Sequence, residues 1–232
     1  MRENVPSEEA KGSGPGSGAG GREGSGPPET VAPGRTVRVG TGEPASRSDL
    51  PSPEALARAL IREPVEGPVR IIFLDLDGTL SDGVVGVSAQ GDFRNFWVRD
   101  GLALQWARDL GVLPVVISGR TSKAARARIV EDLRLEYHEG IGDKVAVAEQ
   151  VLKREGARWQ DCVMVGDDLP DVALMKRVGW PIAVGNAQPE VQLAAKTVLG
   201  TQGGRGAVRE MVEMVLRHNG TWTEVLRRYG AE

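Results

Sequence analysis

Apolar residues along this chain come in short runs that end abruptly on polar ones. Ile71-Ile72-Phe73-Leu74 passes straight into Asp75-Leu76-Asp77-Gly78-Thr79-Leu80. A few β-prone residues closed by a glycine read as a buried strand over Val69–Leu74. Its carboxyl end carries two acids spaced by one residue, and residues two apart in extended chain point the same way. Asp75 and Asp77 therefore face one centre. The pattern repeats at Leu113–Ile117, which ends at Ser118-Gly119-Arg120, and at Cys162–Val165, which ends at Gly166-Asp167-Asp168.

Between these runs the period changes. Helices are expected over Gly101–Leu110, over a basic segment from Ser122 to Leu133, over Asp143–Arg154 and over Gly206–His218. Shorter strands are expected at Glu136-Tyr137-His138, Pro181–Val184 and Thr197–Leu199. Val84–Ser88 and Phe93–Val98 flank Ala89-Gln90-Gly91-Asp92 and read as a β-hairpin with its turn. Ser52-Pro53 opens a short helix carrying Leu56 and Leu60. Strands alternating with helices predict an α/β domain built on a doubly wound parallel sheet.

Composition narrows this to part of the chain. Of 232 residues 40% are hydrophobic and 4% aromatic, with a net charge of -3. Residues 1–50 hold most of the Gly/Pro/Ser clusters, and no aromatic precedes Phe73. Such a segment buries too little apolar surface to offset chain entropy, so 1–50 is expected to be a disordered tail and 51–232 the folded domain. The tail lacks the apolar centre of a signal peptide, and no run approaches the ~20 apolar residues that span a bilayer. The single cysteine, Cys162, rules out an intrachain disulfide framework and fits a cytoplasmic protein. Near-neutral charge without a dominant basic block argues against nucleic acid as a partner.

In a doubly wound sheet, strand ends far apart in sequence converge on one crevice. Here they would gather Asp75, Asp77 and Thr79 with Ser118 and Arg120, Lys144, and Asp167, Asp168 and Asp171. Clustered carboxylates make a hard oxygen site suited to Mg²⁺. Lysine, arginine, serine and backbone amides hold phosphate oxygens, and a carboxylate can attack phosphorus.

The order and form of these motifs resemble the haloacid dehalogenase superfamily of phosphotransferases. The resemblance implies that Asp75 is the nucleophile and Asp77 the general acid/base, with Ser118 and Lys144 completing the catalytic set. It assigns Mg²⁺ to the Asp75 carboxylate, the Asp77 main-chain carbonyl and Asp167, with Asp168 and Asp171 behind them. A closer resemblance covers about residues 66–218. Leu80-Ser81-Asp82-Gly83, Val98-Arg99-Asp100-Gly101, Ile117-Ser118-Gly119-Arg120, Asp143-Lys144, Val165-Gly166-Asp167-Asp168-Leu169-Pro170-Asp171 and Gly203-Gly204-Arg205-Gly206 look like the 3-deoxy-D-manno-octulosonate 8-phosphate phosphatases. That branch carries a short hairpin flap and no cap domain. The resemblance implies a homotetramer assembled through the 84–98 hairpin, and a glycine-arginine tail containing Arg205 that closes a neighbour's site. It also sets Asp77, Arg99, Asp100, Gly101, Arg120, Arg128 and Lys144 near a small sugar-acid phosphate.

Two positions depart from the branch. Trp97 stands where a small polar residue is usual, and Gln105 where arginine is common. An indole there would favour a flatter or more apolar leaving group, or would pack a subunit interface. Two other readings start from the same residues: a phosphoacceptor receiver domain, and a non-catalytic accessory subunit that keeps the fold. The first fits poorly, because the middle strand ends in Ser118 rather than in an acceptor aspartate.

Overall fold

The computed structural model describes residues 66–89 and 91–232. The expected tail and the Leu56/Leu60 helix lie outside the described residues. Six parallel strands form one sheet in the order β5-β4-β1-β6-β7-β8. They are β1 (Ile71–Leu74), β4 (Leu113–Ile117), β5 (Glu136–His138), β6 (Cys162–Gly166), β7 (Trp180–Ala183) and β8 (Thr197–Val198). Every residue of β1, β6 and β7 is buried, as all-apolar strands covered by helices on both faces must be. β1 pairs with β4 through Ile71↔Leu113 and with β6 through Ile71↔Cys162. After β1 the chain builds outward through β4 and β5, then returns to β6 on the opposite side. The switch point, where such sheets open a ligand crevice, is therefore the carboxyl end of β1.

The helices are α1 (Val98–Asp109), α2 (Lys123–Arg126), α3 (Lys144–Glu155), α4 (Leu169–Met175), α5 (Pro189–Ala194), α6 (Ala207–His218) and α7 (Trp222–Arg228). The Asp143 side chain caps α3 by accepting from the amides of Val145 and Ala146 at 2.9 and 3.2 Å. That cap sets Lys144 in the first turn, pointing back toward the sheet. Trp106 of α1 meets Trp222 of α7 with ring centroids 6.0 Å apart, and the Arg209 guanidinium of α6 lies 4.0 Å from the Trp106 centroid.

Several boundaries move. The hairpin is present as an antiparallel pair, β2 (Gly86–Ser88) and β3 (Gly91–Phe93), but its second arm begins two residues before the expected Phe93. Gly91 and Asp92, expected in the turn, are in the strand. Asn95–Val98, expected as strand, turns instead into α1, which starts three residues before Gly101. The Ser122–Leu133 helix is α-helical only over α2 and widens into a π-helix over Ala127–Asp132, where the Leu133 amide reaches back five residues to the Arg128 carbonyl at 3.0 Å. The short helices α4, α5 and α7 carry too few turns to register as periodicity. Cys162 is fully buried, and burial pushes its thiol up to about 12. His138 meets Glu136 at 2.8 Å and His218 meets the Gly67 carbonyl at 2.7 Å, so both histidines serve the structure.

Candidate active site

At the end of β1 the Asp75 amide donates to the Val165 carbonyl at 3.1 Å, which holds the nucleophile candidate in line with the sheet. Three residues on, the chain must turn hard. Gly78 does this at φ 101°, and a Cβ there would lie 2.1 Å from Asp167 Oδ2. Only glycine suits both the conformation and the approach. Thr79 then donates its hydroxyl to Asp167 Oδ1 at 3.0 Å, which joins the β1 loop to the end of β6.

Lys144 is the centre of charge. Its Nζ donates to Asp75 Oδ1 at 2.5 Å and to Asp171 Oδ1 at 2.6 Å, and the lysine is 6% exposed. The other oxygen of Asp171 accepts from the amides of Asp167 and Asp168 at 3.1 and 3.3 Å. Asp168 itself turns outward and caps α4, accepting from the Leu169 amide at 2.8 Å. Asp75, Asp167 and Asp171 can each offer a carboxylate oxygen within 4.8 Å of the others. Burial, and then the Asp171 charge, push Asp75 up to about 7 against the pull of Lys144. Burial likewise raises Asp167 to about 6, opposed by the Thr79 bond. Lys144 is raised as well, for a different reason: burial would lower it, but Asp75 and Asp171 hold it above its ordinary value. Three carboxylates gathered beside one ammonium make an oxygen-rich cluster, which is the donor set a hard divalent cation fits.

A crevice of about 200 Å³ opens over this cluster, lined by Asp75, Asp77, Ser118, Arg120, Lys144 and Asp171 among others. Ser118 sits at the end of β4, its amide held by the His138 carbonyl at 2.9 Å and its Oγ accepting from the Arg120 amide at 3.1 Å. Most of the expected catalytic and metal residues thus converge. The Asp77 side chain lines the same crevice but is not among the three clustered carboxylates, and it is bonded by Arg94 instead.

Part of the expected substrate set is elsewhere. Arg99 and Arg205 line a separate groove with Trp97 and Arg209, and Arg205 lies 4.0 Å from Asp82. Arg128 pairs with Asp132 and packs against Gly101, away from the crevice. Asp100 is fully buried and accepts from the amides of Gly206 at 3.3 Å and Arg209 at 2.7 Å. It is the internal anion at the amino end of α6, raised by burial to about 6 against those two bonds. The Gly203–Gly206 loop has its amides similarly committed: Gly203 donates to Asn186 Oδ1 and Gly204 to the Thr79 carbonyl, both at 2.9 Å.

The sequence contains the form of a known family, and comparison agrees with the geometry. Residues 135–211 match the family described as haloacid dehalogenase-like hydrolase. The 3-deoxy-D-manno-octulosonate 8-phosphate phosphatase of Haemophilus influenzae is 34% identical over 154 residues, covering 66% of this chain and 85% of that protein. The chain belongs to the haloacid dehalogenase family. Among solved structures, the 3-deoxy-D-manno-octulosonate 8-phosphate phosphatase of Yersinia pestis superposes with a TM-score of 0.65 at 30% identity, covering 67% of this chain and 84% of that one. The 3-deoxy-D-manno-octulosonate 8-phosphate phosphatase of Moraxella catarrhalis, solved in complex with a magnesium ion, a phosphate ion and a KDO molecule, gives a TM-score of 0.67 at 29% identity, covering 69% and 93%. Within this haloacid dehalogenase fold, the described residues place only the β2–β3 hairpin between β1 and α1, and no cap domain among them.

One residue of the site escaped the sequence. Arg94, just after β3, is buried, and its Nε donates to Asp77 Oδ1 at 2.5 Å. Nothing in the pattern announced it. The hairpin's neighbouring positions are exposed, and an arginine there reads as solvated.

Proposed function

We propose that the protein is a Mg²⁺-dependent phosphomonoesterase acting on a small sugar-acid phosphate of the 3-deoxy-D-manno-octulosonate 8-phosphate type. The observation that carries the reading is the Asp75 carboxylate at the switch point of the sheet, paired with Lys144 at 2.5 Å and grouped with Asp167 and Asp171. The kinship with phosphatases named for that substrate supports it.

Asp75 attacks phosphorus and forms an aspartyl-phosphate as the bond to the leaving oxygen breaks. Asp77 gives its proton to that oxygen, then takes one from the water that opens the acyl phosphate, which returns both carboxylates to their starting state. Lys144, Ser118 and the amides at the ends of β1 and β4 hold the equatorial oxygens while charge spreads over them. Asp75, Asp167 and the main-chain carbonyl of Asp77 would hold Mg²⁺, which supplies further neutralisation of that charge. Asp171 keeps Lys144 in place, and Arg120 at the rim meets the anionic substrate.

The hairpin adds an assembly surface. Val84, Val87, Phe93 and Val98 are 62, 83, 59 and 75% exposed, which is much apolar area for so short a segment. Further copies of this chain are its natural cover, as in a homotetramer through residues 84–98. In that assembly Arg99, Trp97 and Arg205 would face a neighbour's crevice rather than their own. A reducing, cytoplasmic setting suits the single buried thiol.

Asp75→Asn removes the nucleophile while keeping the shape. Mg²⁺-dependent phosphate release from the eight-carbon sugar phosphate and from p-nitrophenyl phosphate is expected to vanish; retained turnover would refute the mechanism. A panel of sugar and aryl phosphates decides the substrate, with preference for neutral or aryl esters overturning the sugar-acid assignment.

A further inference from the structure

The acid cluster and its lysine leave one buried charge without a task. Arg94 extends from the exposed hairpin, yet its side chain is 1% exposed. Its guanidinium forks over Asp77, with Nε 2.5 Å from Oδ1 and Nη2 3.3 Å from Oδ2. The remaining nitrogen, Nη1, pairs with Asp92 on β3 and donates to Ser122 Oγ at 2.5 Å. Ser122 is itself fixed. It caps α2 by accepting from the Ala125 amide at 3.1 Å, and it donates its proton to Asp92 at 2.6 Å. One side chain therefore joins the hairpin, the start of α2 and the loop after β1, and all of that bracing ends on a single carboxylate.

A merely structural arginine would not need this arrangement. The hairpin could be pinned by an ion pair at its surface, where a guanidinium keeps its water. Here the cation is taken out of water and aimed at the residue that must move a proton. A planar fork against a carboxylate fixes its rotation as well as its position. The two contacts are unequal: Oδ1 is held closely and is also within 3.5 Å of the Ser81 hydroxyl, while Oδ2 is held loosely.

We propose that Arg94 is the positioning residue of the proton-transfer step, its guanidinium fork turning Asp77 so that Oδ2 faces the leaving oxygen. The proposal rests on the phosphomonoesterase reading and adds to it that the hairpin of the same chain is part of the catalytic machinery.

The chemistry separates this role from others. Proton donation matters in proportion to the basicity of the oxygen that leaves. p-Nitrophenolate departs with little help, whereas phenolate needs the proton. Phenyl phosphate and p-nitrophenyl phosphate differ by one nitro group, so loss of phosphate binding or a loosened fold would lower both alike. In Arg94→Gln, with folding checked by circular dichroism and melting, kcat/KM for phenyl phosphate is expected to fall about 30-fold, part of the 10²–10⁴ that general acid catalysis contributes. For p-nitrophenyl phosphate the fall is expected to stay below about threefold. Arg94→Lys keeps the charge and loses the fork, so its ratio should fall between; it is also the variant to read if Arg94→Gln does not fold. Equal losses on both esters, or none on either, overturn the proposal. If the wild-type protein releases phosphate from neither the eight-carbon sugar phosphate nor either aryl ester, or Asp75→Asn does so as well as wild type, the phosphatase reading itself fails and takes this role with it.

Discussion

Replacing Lys144 by methionine removes the only cation from the centre of the cluster while keeping its length. Asp75 and Asp171, which the ammonium touches at 2.5 and 2.6 Å, then stay buried without their counter-ion. Taking one member out of a buried ion pair costs about 3–5 kcal/mol, because the charge left behind has neither water nor counter-ion. For a folded region of this size each kcal/mol lowers Tm by roughly 2–4 °C, so a drop near 12 °C is expected.

The loss should depend on pH in a definite direction. Asp75 already sits near 7 in the folded protein, against 3.8 for the free group, with burial as the main cause and Lys144 opposing. Without the lysine its folded value rises further. A carboxyl whose folded value is raised favours folding below its unfolded pKa, and that contribution is lost as pH climbs through the folded one. Near pH 4, below the folded values of Asp75 and Asp167, the variant should melt closer to wild type; toward pH 8, above the Asp75 value of about 7, the gap should widen. The assay is thermal unfolding followed by tryptophan fluorescence, in chelator, at several pH values. Mg²⁺ should recover part of the lost Tm at pH 8, since it supplies the missing positive charge. A Tm within 2 °C of wild type at pH 8 without metal, or a gap that shrinks as pH rises, would refute the reasoning.

Other outcomes follow from single contacts. Asp100 is raised to about 6 by burial, so wild type should lose stability as pH rises from about 4 to 6; Asp100→Asn should lack that slope, worth about 2–3 kcal/mol in urea titrations at the two ends. Thr79→Val deletes the hydroxyl that orients Asp167, and Mg²⁺ affinity by calorimetry should weaken about 10–100-fold with the melting temperature little changed. Val87→Lys places a charge on the most exposed of the hairpin's apolar residues, and native mass spectrometry should then find a smaller particle than for wild type. An unchanged mass would mean that assembly does not use the hairpin.

The parts of the fold that were legible are those whose cause is local. β4 matches its expected limits, because an apolar run of strand length bounded by turn residues has few other uses. The convergence of the candidate acids Asp75 and Asp167 has the same origin: each stands at the end of an apolar strand, and the right-handed winding of a parallel sheet brings strand ends together. What failed was set by tertiary contact. The second hairpin arm was misplaced because β2 and β3 hold only three residues each, so neither alternation nor length could define register, and the pairing Gly86↔Phe93 decided it.

Asp100 and Arg94 show why motif and position are different kinds of information. The Val98-Arg99-Asp100-Gly101 motif marks Asp100 as functional, yet within one chain its carboxylate serves the amides of Gly206 and Arg209, more than a hundred residues away. Its influence on the crevice runs through the loop it anchors, since Gly204 of that loop donates to the Thr79 carbonyl and Thr79 in turn holds Asp167. Arg94 is the converse. No motif marks it, its neighbours Phe93 and Asn95 are exposed, and an exposed hairpin gives no reason to expect a buried cation. Only the fold of the hairpin over the end of β1 reveals that the arginine faces inward and the acid it meets is Asp77. A residue whose partner is chosen by the approach of two segments leaves no periodic trace in either of them. The site's charges are therefore of two sorts: those delivered by strand ends, readable in advance, and those delivered by the flap, visible only once it has closed.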